Sequence, residues 1–262
     1  MRFVASIAAA CLATVPVLPA QGSADELLRQ AGRALQANET AQAGRLLEQA
    51  VELDSEDPEP VAQLLEALLA AGDVQAGMTL AVQAKQRFPD HVGVQYWFGV
   101  GAHFLGAEPF LGAEPFLRLA LRNLDDVNPE DPRTAVLRSL LSLARHEPRE
   151  AVAGLERAGA PMARVFLATA LLQLGDAAAA ERALRETAEP RFEGRRQLAL
   201  GQALAAQGRA SEAIEALRAA ERSMPASVEV QLELARLLEA RGDQAGAAER
   251  RARAERLRRA EP

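Results

Sequence analysis

The chain has 262 residues, 49% of them hydrophobic but only 4% aromatic, with a formal charge of −6 and one cysteine. This is the profile of alanine- and leucine-rich helices. The acidic balance argues against a nucleic-acid partner, and a lone cysteine excludes an internal disulfide framework and a multi-thiolate metal centre. No segment alternates apolar and polar residues with β-branched enrichment, so no strand is predicted.

Residues 1–20 read as an export signal: Met1-Arg2 give a positive start, residues 3–17 carry no charge, and Leu18-Pro19-Ala20 precede Gln21. Cleavage is expected after Ala20, with Gly22-Ser23-Ala24 a second choice. The apolar run is shorter than the roughly 20 residues a spanning helix needs, and Pro16 and Pro19 interrupt its end. An uncleaved anchor is the alternative. Cys11 does not suit a lipoprotein, because Ala8 stands where leucine is usual and apolar residues continue beyond it. The expectation is an exported protein, periplasmic or extracellular, with no integral span after removal of the signal.

From residue 24 onward a beat of 34 residues sets the organisation. Residues suited to a hinge fall at Asn38, Gly72, Gly106, Gly112, His146, Gly175, Gly208 and Gly242, in steps of 34, 34, 6, 34, 29, 33 and 34. A second track, Ala50, Ala84, Leu124, Ala158, Thr187, Ala220 and Ala254, steps by 34, 40, 34, 29, 33 and 34. Both stretch and shorten at the same places, which chance alanine richness does not explain. The units are 24–57, 58–91, 92–131, 132–160, 161–193, 194–227 and 228–261.

Each unit reads as two short helices around a tight hinge. In the sixth, Leu198, Leu200, Leu204 and Ala205 share a helical face, Gly208 ends the first helix, and Ser211 is the expected N-cap of the second. Ala213, Leu217 and Ala220 form the inner face of that helix, and Pro225 separates it from the next unit. Gly201 and Ala213 are small where two helix backbones approach.

In these residues the chain resembles the tetratricopeptide repeat. The sixth unit carries Leu200-Gly201, Leu204, Ala213, Leu217, Ala220 and Pro225; the seventh Leu234-Ala235, Leu238, Gly242-Asp243, Ala247 and Ala254. The second carries Leu64-Leu65, Leu68, Gly72-Asp73, Ala84 and Pro89, and the fifth Leu167-Ala168, Leu171, Gly175-Asp176, Ala180 and Leu184. The first ends in LDSEDPE, close to the usual inter-repeat turn. Leucine mostly replaces the family's aromatics, no unit has its early tryptophan, and the fourth puts Arg138 and Ser139 where leucine and glycine are expected. The resemblance implies an all-α solenoid of about seven helix-turn-helix units in a right-handed superhelix, whose stability sums over neighbours.

The third unit contains FLGAEP in tandem, at 104–109 and 110–115, which accounts for its six extra residues. Its first helix is expected to end near Leu105, a connection to run to Glu114, and Pro115 to open the second helix. The insertion reads as a tolerated hinge extension, with an apolar contact through Phe110 and Leu111 as the alternative.

The resemblance also places the first helix of each unit on a concave groove. The residues it assigns there are Tyr96, Val100, His103 and Phe104 of the third unit, Val136, Leu140 and Leu143 of the fourth, and Val165, Thr169 and Leu172 of the fifth. This middle stretch is apolar, whereas Glu59, Glu66, Arg195, Gln202, Arg236 and Glu239 make the outer units polar. A helix or extended segment of a protein partner is expected to dock there. Trp97 and Phe98 read as core between repeats; for Tyr96, His103 and Phe104 groove and core stand equal. No set of Lys, Asn and Arg suited to a C-terminal carboxylate occurs in three adjacent first helices. The last helix carries six arginines against three glutamates from residue 247 and reads as a solvated cap.

His91, His103 and His146 match no metal-ligand spacing, and no phosphate loop or nucleophile motif is present. No cofactor is expected. The reading is a non-catalytic scaffold or adaptor for a protein or peptide partner in the bacterial cell envelope; the alternative is a self-assembling module that forms a homo-oligomer.

Overall fold

The computed structural model describes residues 58–105, 112–160, 162–186 and 190–259, with isolated helical positions between Glu26 and Ala50. The signal segment, the Asn38 hinge and residues 106–111 of the duplication lie outside the described residues. Among the described residues there are twelve α-helices and no strand. They pair as α1 (Pro58–Ala70) with α2 (Val74–Arg87), α3 (Val92–Leu105) with α4 (Glu114–Val127), and α5 (Pro132–Ala144) with α6 (Pro148–Leu155). Next come α7 (Ala163–Gln173) with α8 (Ala177–Arg185), α9 (Glu193–Ala206) with α10 (Ala210–Ser223), and α11 (Val228–Ala240) with α12 (Gln244–Arg259). The result is a tetratricopeptide-like α-solenoid: each hairpin packs on the next, and the odd-numbered helices contact one another along one side.

The hinges show why the beat is chemically fixed. Gly72, Gly175, Gly208 and Gly242 have φ of 84°, 81°, 76° and 83°, and His146 stands at the equivalent corner with φ 61°. At each, the hinge N–H donates to the carbonyl three residues back and the next N–H to the carbonyl five back. In the second unit these are Gly72 to Leu69 (3.3 Å) and Asp73 to Leu68 (3.1 Å); in the fourth, His146 to Leu143 (3.0 Å) and Glu147 to Ser142 (2.9 Å). This paired closure satisfies the orphan carbonyls of the first helix, and it requires a left-handed residue at the corner.

Aspartate after the glycine serves both helices. The carboxylates of Asp73, Asp176 and Asp243 accept from the backbone N–H three residues on, at 3.1, 2.9 and 2.9 Å. The sixth unit departs from expectation. Its second helix starts at Ala210 after Arg209 with no side-chain cap, so Ser211 lies inside the helix instead of capping it.

Two further departures are small. Helix α4 starts at Glu114, so Pro115 occupies the second helical position, where its missing N–H is still free of cost. In the fourth unit Ser139 takes the role of the small residue. It is buried, its hydroxyl donates to the Ala135 carbonyl at 2.8 Å, and it faces Gly154 of α6. The shortness of that unit is carried largely by α6, which has 8 residues against 14 in α2, α4 and α10.

The solenoid curls until the sixth unit, with the 3-10 turn just before it (Pro190–Phe192), meets the second unit and α3. Arg191 pairs with Glu66 at 3.1 Å, and Phe192 lies 5.9 Å from Trp97, ring to ring. A side chain at Gly72 would place its Cβ 3.1 Å from the Cβ atoms of both Met224 and Ser227. The first helices therefore surround a largely filled interior.

Candidate functional site: the inner face

This curl corrects the expected groove. Tyr96, Val100, Val136 and Leu140 are 0% exposed, and Leu143 and Val165 are also buried. They form core between the odd-numbered helices and offer no surface to a partner. His103, Phe104, Thr169 and Leu172 are partly buried. His103 and Phe104 meet Phe166 of α7, with ring centroids 5.4 and 5.8 Å away, and the Thr169 hydroxyl donates to the Val165 carbonyl at 3.3 Å. Trp97 and Phe98 are buried, in keeping with their reading as core. Curvature contributes at one end: it brings His103 and Phe104 of α3 against Phe166 of α7 and Arg195 of α9.

The residue that closes the interior is Arg195, in the first turn of α9. It is 3% exposed. Its Nε and Nη2 donate to the Leu69 carbonyl at 3.1 and 3.0 Å, 126 residues away in sequence. The guanidinium lies 3.8 Å from the centre of the Phe104 ring, and Nη1 stands 3.5 Å from the Glu229 carboxylate. Leu69 belongs to the last turn of α1, where carbonyls carry the negative end of the helix dipole and a cation is favoured. Desolvation by burial pulls the guanidinium down to about 10, with Glu229 acting in the opposite sense. By sequence Arg195 belongs to the polar outer part of an open groove. Nothing local to α9 reveals that α1 returns to it.

His103 shares this environment. Burial, and next the charge on Arg195, lower it to about 4, so the imidazole is neutral at pH 7.

Among the described residues the inner face has a cleft of about 260 Å³ between α1, α3 and the start of α5. Glu59, Gln63 and Glu66 enter it from α1 at positions i, i+4 and i+7, which is one face of a helix. Tyr96 and Trp97 come from α3, Asp131 and Arg133 from the start of α5, and Gly159-Ala160 from the turn before α7. Asp131 is committed to structure. It caps α5 through the Arg133 N–H at 2.9 Å and takes the Arg133 guanidinium on both oxygens at 2.8 Å. The hydrogen bond from Arg133 holds its carboxyl below the usual range. Glu59 faces His91 at 3.5 Å, and Glu66 is held by Arg191, whose side chain is 78% exposed. The lining therefore carries three carboxylates and one guanidinium. Among the described residues no group of His, Cys, Asp and Glu could hold a metal ion.

No family model matches the sequence, and no curated protein matches it. Solved structures do match in fold. Human IFIT1, solved as a dimer with PPP-AAAA, is 18% identical with a TM-score of 0.56 over 88% of this chain. The chain spans about three-fifths of IFIT1, the match covering 61% of it. A tetratricopeptide repeat protein from Parabacteroides merdae is 14% identical over 90% of this chain and 94% of its own, with a TM-score of 0.49. A TPR protein from Thermus thermophilus is 20% identical over 83% of this chain and 100% of its own, with a TM-score of 0.41.

Proposed function

We propose that the chain is a non-catalytic protein-interaction scaffold of the bacterial cell envelope, and that it holds a segment of a partner protein in the cleft between α1, α3 and α5. The observation that carries this reading is the cleft itself: an open recess on the inner side of a repeat solenoid, edged by Glu59, Gln63 and Glu66 and backed by the buried Tyr96 and Trp97. A backbone or side chain entering it meets hydrogen-bond acceptors along the α1 edge, as a concave site with a few convergent polar groups requires. Carboxylates outnumber the one guanidinium, so a segment bearing Lys or Arg suits it and a nucleic acid does not. Export is proposed from the charged start and apolar run of residues 1–20. Among the described residues no helix is long and apolar enough to cross a membrane.

Gln63 is exposed at the centre of the edge, and a photo-reactive residue there reports the occupant. Irradiation of the full chain expressed in a bacterial envelope is expected to give a discrete adduct with one protein, weakened by Glu66→Gln. Adducts formed equally from Leu174 or Leu232, which are exposed elsewhere on the molecule, would move the binding surface off the inner face. An adduct with a second copy of the chain would favour self-assembly.

A further inference from the structure

We infer that the contact of α1 and α3 with α9 and the 3-10 turn before it (Pro190–Phe192) is a releasable clasp that keeps the aromatic inner face closed. Its relevance to partner binding rests on the function proposed above; the clasp itself does not.

Three observations carry it. First, the contact joins residues some 125 positions apart, while every hairpin also packs on its neighbours in sequence. In a solenoid those neighbour contacts hold each hairpin, so the long-range contact can part while the helices stay formed. Second, the centre and rim of the clasp are polar, beside the Met224 and Phe192 contacts. Its centre is the buried Arg195 guanidinium on one carbonyl, 3.5 Å from a half-exposed carboxylate, and its rim is the Glu66–Arg191 pair. Taking a guanidinium out of water opposes much of what its hydrogen bonds return, so the polar part of the contact adds little net stability to the closed form. The Leu69 carbonyl, released, is satisfied by water. Third, opening uncovers rings rather than scattered aliphatic side chains: Trp97 parted from Phe192, and the face of Phe104 that the Arg195 guanidinium covers. Aromatic groups of this kind anchor protein partners when exposed.

The chain carries its own reporter. Trp97 is the only tryptophan in the sequence, is buried, and touches the clasp through Phe192. Acrylamide quenching of its fluorescence, read beside helical circular dichroism on the full chain, measures opening without any partner. Arg195→Ala removes the centre of the clasp. Gly72→Leu wedges it, because a Cβ there already stands 3.1 Å from Met224 and Ser227. Gly208→Leu is the control: the same positive φ (76°) imposes a like hinge strain, but nothing lies within 4 Å of its Cβ.

Arg195→Ala and Gly72→Leu are expected to raise the quenching constant about twofold or more with helicity retained, and Gly208→Leu to leave it unchanged. Retained helicity with unchanged quenching in the first two would overturn the clasp. So would loss of helicity in both while Gly208→Leu stays folded, since the contact would then be part of the fold and not releasable. Equal quenching in the two glycine variants would assign the effect to hinge strain and also count against it. Because no partner enters, failure here is separate from failure of the crosslinking experiment.

Discussion

At His146 a side chain sits where four other hinges have glycine, with φ 61° and the same paired hydrogen bonds. An L-residue in the left-handed region costs roughly 1–2 kcal/mol, less for His than for β-branched residues. His146→Gly is therefore expected to stabilise the chain by up to ~1 kcal/mol, a rise of about 2–4 °C in a thermal melt. Gly175→Ala, at a hinge with open space around its Cβ, should cost a similar amount. His103 supplies a pH dependence of known sign. Its pKa falls from 6.5 to about 4 on folding, so below pH 6.5 the unfolded chain binds the proton more tightly. The stabilisation is complete above pH 6.5 and is lost as pH falls toward 4, by up to ~3 kcal/mol before allowance for its partial exposure. Glu181 acts in a lower window. Hydrogen bonds from Gln207, then Arg185 and Arg209, hold it at about 2, so its contribution persists above pH 4.5 and fades as pH drops toward 2. Melting temperatures between pH 7.5 and 4.5 should fall less steeply for His103→Gln than for the parent; equal slopes would remove His103 from the acid response.

Helices were legible where a local rule fixes them. A left-handed corner admits few residues, so hinge glycines mark the end of the first helix in the second, fifth, sixth and seventh units, with His146 at that corner in the fourth. Aspartate after glycine marks the next start at Asp73, Asp176 and Asp243. Where the rule is weaker the reading slipped, as at Ser211, whose residue type suits a cap but which lies one residue inside α10. Which face of a helix meets which neighbour was less legible, because it depends on the angle between hairpins. Leu140 and Leu172 occupied the same expected groove, yet Leu140 is fully buried and Leu172 only partly. Leu140→Ala should cost about 2–5 kcal/mol and Leu172→Ala clearly less, as read by denaturant midpoints. Equal costs would mean that the two positions share one environment and would restore the open wall.

At the scale of the whole molecule, curvature decides what the sequence could not show. Small differences in helix length and crossing angle accumulate over successive hairpins, and no single residue encodes their sum. Arg195 and Glu66 each have a sound local reading; both are reassigned because α9 and the turn before it return to α1. Closure also changes how stability is shared. In an open array a perturbation decays with distance along the stack, since each unit contacts only its neighbours. In the curled array α9 touches α1 directly. Leu198, buried in α9, tests the difference: Leu198→Ala destabilises the sixth unit by creating a cavity there. Native-state hydrogen exchange should then show faster exchange in α1 than the change in α5 and α6 would predict, although α5 and α6 lie between the two units in sequence. A response that falls off steadily from α9 toward α1 would describe a linear stack with its two ends energetically independent.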